Sequence, residues 1–411
     1  MASGAPYILK WGIMATGQIA ETFCKDLLTD PASRDVHDVG HQIVAVASST
    51  SADRAAAFLR GIDGPASAKA YGSYAELVAD ADVDIVYVAT PHSHHFQNAM
   101  LALRAGKNVL CEKALTVTAS QARKLVDTAR EKKLFLMEAV WTRFLPLSVK
   151  IRELVASGEI GTVYRTLADL SFNENSEQDD GTVRFPDSHR MVNKDLAGGA
   201  LLDLGVYALT WVFQSLYHVR PAGSREAPVV LAAANQYRTG ADANTSVICQ
   251  FPRSRSLGVA TTSLLVGTCP RGQGAAQAPA VRIQGSKGEI QVAHPAFRPP
   301  RFSVIRARGA GAGAGAGEGA GEGEGAAEVV ECPVPRDAGR DWGHGMFWEA
   351  DECARCVRDG RTESDTLPWS ESIVMMETME EALRQGGVEY PERITTDVYD
   401  EESPLNTGGR V

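Results

Sequence analysis

Lys113, Asp203 and Tyr207 are the residues of this chain whose types and setting could do chemistry together. Lys113 lies in Cys-Glu-Lys-Ala, 111–114, just past the apolar run Asn108-Val109-Leu110, where a strand should end. Asp203 and Tyr207 fall four residues apart in Gly-Gly-Ala-Leu-Leu-Asp-Leu-Gly-Val-Tyr, 198–207. At helical spacing they point the same way. A phenol ordinarily titrates near ~10. A neighbouring ammonium stabilises the phenolate and lowers that value, so a tyrosine beside a lysine can serve as a base. Alone, Lys113 reads as a surface lysine, and Tyr207 among Leu201, Leu204 and Leu209 as a core ring. The combination carries the chemistry.

These residues need elements to position them. The first ~140 residues alternate apolar strand runs with helical patterns, as βαβ units around a parallel sheet do. Strands are predicted at Ile8–Met14, Ile43–Ser48, Asp84–Ala89, Asn108–Cys111 and Phe135–Glu138, and helices at 18–28, 52–59, 74–79, 95–105 and 119–132. After Trp141 the character changes. A helix over 147–157 runs to Gly158, and period-two segments then follow between Val163 and Cys332, which predicts a largely antiparallel sheet. Helices around 345–358 and 370–385 close the chain. The expected architecture is α/β: a doubly wound, Rossmann-type domain for a dinucleotide over residues 1–140, and an α+β domain with a large, mostly antiparallel open sheet over residues 141–395. Residues 309–327 are nearly all Gly, Ala and Glu and predict a flexible loop with no assigned function.

Gly12 to Ala20 lies where a strand hands over to a helix. Read as G-x-G-x-x-G/A, its positions are Ala15, Gly17 and Ala20, with Ala15 in place of the usual first glycine. Gly17 lets backbone approach a pyrophosphate, and the helix start supplies amide donors. Ala15, Thr16, Gly17, Gln18 and Ile19 are therefore candidate cofactor contacts. The second strand ends in Ala47-Ser48-Ser49-Thr50-Ser51, with Arg54 beyond and no carboxylate to repel a 2′-phosphate. Ser48, Ser49, Thr50 and Arg54 favour NADP over NAD, although Arg54 could simply face solvent on its helix. Thr90-Pro91-His92-Ser93-His94-His95 follows the next strand on the crevice side. Thr90, Pro91, His92 and His95 are candidate cofactor contacts, as are Glu112 and Lys113. Three histidines so spaced do not converge, and no metal is expected.

Composition bounds the function. With 411 residues, 44% apolar and 22% charged, the chain is long enough for two domains and too apolar for disorder. A net charge of −10 argues against nucleic acid or an anionic membrane as partner. The seven cysteines are scattered and odd in number, which suits reduced thiols, and Cys353-x-x-Cys356 lies in an amphipathic helical pattern. The N-terminus shows no signal pattern. The most apolar stretch, Ala200 to Tyr217, carries Asp203 and reads as a buried helix, so a cytoplasmic protein is expected.

Over residues 8 to 392 the chain resembles the Gfo/Idh/MocA oxidoreductases. Thr90-Pro91, Glu112-Lys113 and Gly198-Gly199…Asp203…Tyr207 match the cofactor and catalytic motifs of that family. Its usual Glu-Lys-Pro stands here as Glu-Lys-Ala, and its Asp-x-x-x-His as Asp203-x-x-x-Tyr207. That tyrosine, with Glu138-Ala-Val-Trp141-Thr-Arg143-Phe-Leu-Pro146, resembles the branch of dimeric dihydrodiol dehydrogenases and NADP-dependent D-xylose 1-dehydrogenases, the fungal type of the latter most. The resemblance implies oxidation of a sugar at C1 to its lactone, with a trans-dihydrodiol as alternative substrate. A non-catalytic NADP-binding regulator of the same fold is the other alternative. It implies Tyr207 as base, Lys113 orienting the reacting hydroxyl, and Asp203 binding a sugar hydroxyl or positioning Lys113. Trp141 and Arg143 are expected on the cofactor, and Glu138, Trp141, Arg143, Phe144, Phe172, Asn173 and Arg184 near the sugar. The family also implies a homodimer.

Overall fold

The computed structural model describes residues 5–173, 185–269, 278–307, 327–337 and 339–407. Six parallel strands form the first sheet: β1 (Tyr7–Met14), β2 (Val39–Ala47), β3 (Lys69–Tyr71), β4 (Ile85–Val88), β5 (Asn108–Glu112) and β6 (Leu136–Ala139). Their order is β3-β2-β1-β4-β5-β6, which reverses direction between β1 and β4 and opens a crevice there. Strands covered on both faces must be continuously apolar, and Ile85-Val86-Tyr87-Val88 is wholly buried. Only β3 escapes a sequence reading, because Lys-Ala-Tyr at the sheet edge is too short and polar to signal itself.

The connecting helices are α1 (Gln18–Leu27), α2 (Ala52–Gly61), α3 (Tyr74–Ala79), α4 (His95–Arg104) and α5 (Ala119–Lys132). Ser51, Ser73 and Thr118 cap α2, α3 and α5 with their hydroxyls, Thr118 in a capping box with Gln121. Helix α1 starts at Gly17 with no side-chain cap. Its first amides are thereby left to the crevice.

The second sheet has eight strands in the order β14-β13-β12-β11-β7-β10-β9-β8. They are β7 (Val163–Asp169), β8 (Val229–Gln236), β9 (Asp242–Phe251), β10 (Ser256–Ser263), β11 (Val281–Gly285), β12 (Gly288–Val292), β13 (Arg301–Arg306) and β14 (Glu328–Glu331). Only β7 and β10 pair in parallel. β9 alternates buried and exposed residues, so one face is covered and the other open. The Gly/Ala/Glu stretch predicted as a loop falls between β13 and β14, and residues 308–326 lie outside the described residues.

Helix α6 (Pro146–Ala156) begins on a proline, and Gly158 follows its end at φ +77°, the conformation a terminating glycine supplies. On the covered face of the second sheet lies a continuous buried helix: a π-helical turn at Leu201–Gly205, α7 (Val206–Phe213), and a second π turn at Gln214–His218. The stretch Lys194–His218 is long and apolar enough to cross a membrane, yet 94% of its most apolar window is buried inside the fold. Gly198 and Gly199 start it for a steric reason. A Cβ on Gly198 would stand 2.5 Å from the Arg190 carbonyl oxygen, and one on Gly199, at φ +147°, 2.1 Å from Asp242 Oδ1. Asp242 Oδ2 in turn accepts from the Leu201 amide at 2.7 Å, capping the helix.

The division near residue 140 separates the two sheets but not every helix. Of α8 (Phe347–Arg358) and α9 (Trp369–Gln385), α8 returns to pack on β1 and β2. It is tied there by Asp351, whose carboxylate accepts from Arg34 (2.7 and 2.8 Å) and faces His41 Nε2 at 3.0 Å, all buried. Asn98 on α4 donates to the Leu405 carbonyl, so the chain end also docks on the first domain.

Candidate active site

A cavity of about 690 Å³ runs from the ends of β1, β2, β4 and β5 to the buried helix of the second domain. At its dinucleotide end stand Ala15, Thr16, Gly17, Gln18 and Ile19, with Ser48, Ser49, Thr50 and Arg54 beside them. Two observations test whether a dinucleotide fits. A Cβ on Gly17 would meet no protein atom within 4 Å, so this backbone faces open space where a pyrophosphate needs close approach. The Thr90 hydroxyl is buried on the cavity wall with no partner, a polar group waiting for one. Arg54 reaches across the mouth, its Nε donating to Thr16 Oγ1 at 3.2 Å. Hydroxyls and a guanidinium with no carboxylate at the end of β2 suit a 2′-phosphate. Ala15 takes φ +90°, a conformation natural to the glycine it replaces.

Pro91, His92 and His95 form the wall after β4. His95 bridges two backbone oxygens, Thr90 at 2.9 Å and Ala114 at 2.8 Å, and so ties that wall to the loop carrying Lys113. His92 Nδ1 faces the Ala197 oxygen at 3.2 Å. Burial lowers His92 to about 3 and His95 to about 4, so both rings are neutral. Among the described residues no group of three or more His, Cys, Asp or Glu is placed to hold a metal ion.

At the centre, Lys113 Nζ donates to the main-chain oxygen of Asp203 at 2.6 Å and to its Oδ1 at 2.8 Å. The peptide after this lysine, Lys113–Ala114, is cis. Burial pushes the Asp203 carboxyl up, but the Lys113 ammonium, with Arg190, outweighs it and holds Asp203 well below the usual carboxylate range. Asp203 is therefore an anion paired with Lys113. Tyr207 presents its ring to the same ammonium, 5.1 Å from the centroid, and its oxygen accepts from Trp141 Nε1 at 2.9 Å. The expected low phenol value is not what the structure supports. Burial, then the Glu112 carboxylate, drive Tyr207 well above 10, and Lys113 spends its hydrogen bonds on Asp203. At rest Tyr207 is a protonated phenol.

Glu112 lines the cavity with one oxygen taken by Tyr87 at 2.5 Å. Trp141 and Phe172 also line the cavity, with Leu204, which the sequence reading placed in the core, and with Leu170, Arg190, Phe297 and His344, which it did not name. Gly343-His344-Gly345, with φ +134° and +104° at its glycines, was the available signal for His344.

Four expected contacts stand elsewhere. Arg143 is fully buried and consumed: Nη1 pairs with Glu371 at 2.6 Å and Nη2 donates to the Thr366 oxygen at 2.7 Å, so it reaches neither cofactor nor sugar. Glu138 is buried behind the wall, its Oε1 accepting from the Leu115 amide at 3.0 Å, which fixes the loop after Lys113. Phe144 turns into the core at the end of the Trp141–Phe144 turn, and Asn173 faces solvent. Arg184 lies outside the described residues.

A doubly wound sheet whose switch-point crevice carries a lysine–aspartate pair under a buried tyrosine defines a nicotinamide-dinucleotide oxidoreductase. Two family models match in succession: an oxidoreductase family with an NAD-binding Rossmann fold over residues 9–140, and the GFO/IDH/MocA C-terminal domain over residues 148–291. The chain belongs to the Gfo/Idh/MocA oxidoreductase family. It is 66% identical to the D-xylose 1-dehydrogenase (NADP(+)) of Hypocrea jecorina over 411 residues, covering both chains fully. It is 34% identical to human trans-1,2-dihydrobenzene-1,2-diol dehydrogenase over 93% of its own length and 98% of the other. Among solved structures, the aldose-aldose oxidoreductase of Caulobacter crescentus shares the fold at a TM-score of 0.69 and 19% identity, over 92% of this chain and 97% of that one.

Proposed function

We propose that the chain oxidises D-xylose at C1 to D-xylono-1,5-lactone with NADP. The observation that carries this reading is the Lys113–Asp203–Tyr207 group at the inner end of a cavity whose outer end fits a phosphorylated dinucleotide. The full-length 66% identity supports the choice of sugar and cofactor. The dinucleotide, when bound, supplies the hydride acceptor.

The residues present account for the rest. Amides at the start of α1 and the Gly17 backbone hold the pyrophosphate, and Ser48, Ser49, Thr50 and Arg54 hold the 2′-phosphate. Lys113, fixed by Asp203, orients the C1 hydroxyl and stabilises charge developing on its oxygen. Tyr207, having first released its own proton to solvent through the cavity it lines, takes the C1 hydroxyl proton. Trp141, Phe172 and Phe297 exclude water and offer aromatic faces to the sugar ring. That same aromatic lining favours a second reading, oxidation of a trans-dihydrodiol beside a ring, which the 34% relatives support. Initial rates with NADP on D-xylose, other aldoses and a trans-dihydrodiol separate the two. A non-catalytic regulator would bind NADP and turn over none of them.

A homodimer in the cytoplasm completes the proposal. On the open face of the second sheet, Leu231, Ile248, Val259 and Leu167 stand in register across four strands, with Leu231 56% and Ile248 38% exposed. An apolar row of this kind supports a face-to-face pairing of two copies. All seven cysteines are free thiols, which supports a reducing compartment.

A further inference from the structure

The Tyr207 oxygen accepts its hydrogen bond from the indole of Trp141, and that indole is itself held by a chain of contacts leading back to the dinucleotide helix. Trp141 stacks on His344, with ring centroids 4.7 Å apart and planes at 23°, and leans on Phe297 at 5.7 Å. His344 sits on a loop outside helix and strand, and Asp26 fixes it there. This carboxylate, 1% exposed on α1, accepts from three successive amides: His344 and Gly345 at 2.7 Å, Met346 at 2.6 Å. Arg298 Nη1 adds a contact to His344 Nδ1 at 3.1 Å. The helix that opens on the cofactor end of the cavity thus also sets the position of the phenol at the other end.

We propose that Trp141 is a positioning residue for Tyr207, holding the phenol oxygen and donating to it so that the deprotonated form is favoured when the substrate proton is taken. The proposal rests on the oxidoreductase reading above. An indole N–H donates and cannot accept, so the Tyr207 proton must point away from Trp141 and toward the remaining directions, the cavity among them. A donor aimed at an oxygen stabilises its anion. Such help is needed, because the charged groups around the phenol mostly oppose ionisation. Glu112 from β5, Asp203 from the π turn and Glu349 from α8 all raise it, and burial raises it most. Lys113 faces the ring and not the oxygen. The nearby His344 and His92 are neutral, lowered by burial to about 4 and about 3. The Trp141 N–H is the donor that the oxygen meets among the described residues.

Two measurements test this. In protein labelled with ¹⁵N at tryptophan, the Trp141 indole resonance is identified by its loss in Trp141→Phe. It should move upfield in Tyr207→Phe, with no cofactor or substrate present. The second is the pH profile of kcat/KM for D-xylose. Trp141→Phe keeps a ring to stack on His344 but removes the N–H, so the ionisation limb should move to higher pH by about one unit, with kcat reduced about tenfold at neutral pH. His344→Phe preserves stacking and should leave the limb in place, while His344→Ala should shift it partway. An unmoved indole resonance in Tyr207→Phe, or a Trp141→Phe enzyme with a changed KM and an unchanged profile, overturns the proposal and leaves Trp141 as a wall of the pocket. A wild type that turns over no substrate refutes the oxidoreductase reading instead, and the resonance test still decides whether the contact exists.

Discussion

The Lys113 ammonium lies between two functional partners, bonded to Asp203 at 2.6 and 2.8 Å and set 5.1 Å from the centre of the Tyr207 ring. Its charge is balanced by the aspartate on one side and offered to the tyrosine and the substrate oxygen on the other. Lys113→Met should lower kcat by roughly 10²–10⁴-fold, the range for loss of an acid–base or oxyanion partner. NADP affinity measured by fluorescence titration should change only a few-fold. A parallel collapse of cofactor binding would mean that Lys113 holds the dinucleotide and does not act on the sugar.

The pH dependence follows from the protonated phenol. Burial holds Tyr207 well above 10, and oxidation needs the form that has lost its proton. The oxidation rate should therefore rise with pH through the neutral and alkaline range, and lactone reduction, which needs the protonated form, should not. Tyr207→Phe should remove the rise and lower kcat by at least 10²-fold. A rate that is flat with pH in the wild type would exclude Tyr207 as the base.

Glu138 gives a stability prediction. Burial raises its carboxyl from 4.5 to about 7, against the hydrogen bond from the Leu115 amide that lowers it. The folded state then binds this proton more tightly than the unfolded state. The associated stability is present in full below pH ~4.5 and is lost as pH rises through ~7. Between pH 5 and 8 the difference in unfolding free energy should swing by about 3 kcal/mol in favour of Glu138→Gln. Parallel pH curves in urea melts of the two proteins would contradict the assignment.

Two glycine-related substitutions should act in opposite ways. Ala15 holds φ +90°, so Ala15→Gly relieves about 1–2 kcal/mol of left-handed strain against ~0.5–1 kcal/mol of added chain entropy. The melting temperature should hold or rise slightly. Gly17→Ala places a methyl in open space, so stability should be kept while the KM for NADP rises at least tenfold. Unfolding of the Gly17→Ala protein would show that the position is needed for packing and not for the cofactor.

Arg143→Ala should destabilise by about 3–5 kcal/mol, because it strips the guanidinium from the buried Glu371 carboxylate and leaves it only the His218 ring at 2.7 Å. Arg54→Ala should instead leave stability within about 0.5 kcal/mol and raise the KM for NADP but not for NAD. Equal losses with both cofactors would remove Arg54 from the 2′-phosphate site.

Much of this was legible because its signals are local. Continuous apolar strands, the turn at Gly17 and the Gly198-Gly199 start of the buried helix all show in short windows, as does the four-residue spacing that puts Asp203 and Tyr207 on one face. The contact of Lys113 with Asp203, 90 residues apart, was one of two roles that the family resemblance implied. What escaped is set by distant partners. Arg143 follows Trp141 in a motif, but only the fold reveals that Glu371 and Thr366 claim it. Glu138 resembles a ligand carboxylate until the Leu115 amide is found on it. The low phenol value expected for Tyr207 assumed a lysine free to face the oxygen, and Asp203 takes that lysine. His344 and Phe297 reach the cavity from loops of the second domain, where no periodicity reports burial.

The most direct test of the central claim is the initial rate of NADPH formation from D-xylose, measured beside the same assay with NAD and with a trans-dihydrodiol. Strong turnover of D-xylose with NADP, lost in Lys113→Met and Tyr207→Phe, is the predicted result. Tight NADP binding without turnover of D-xylose would contradict it.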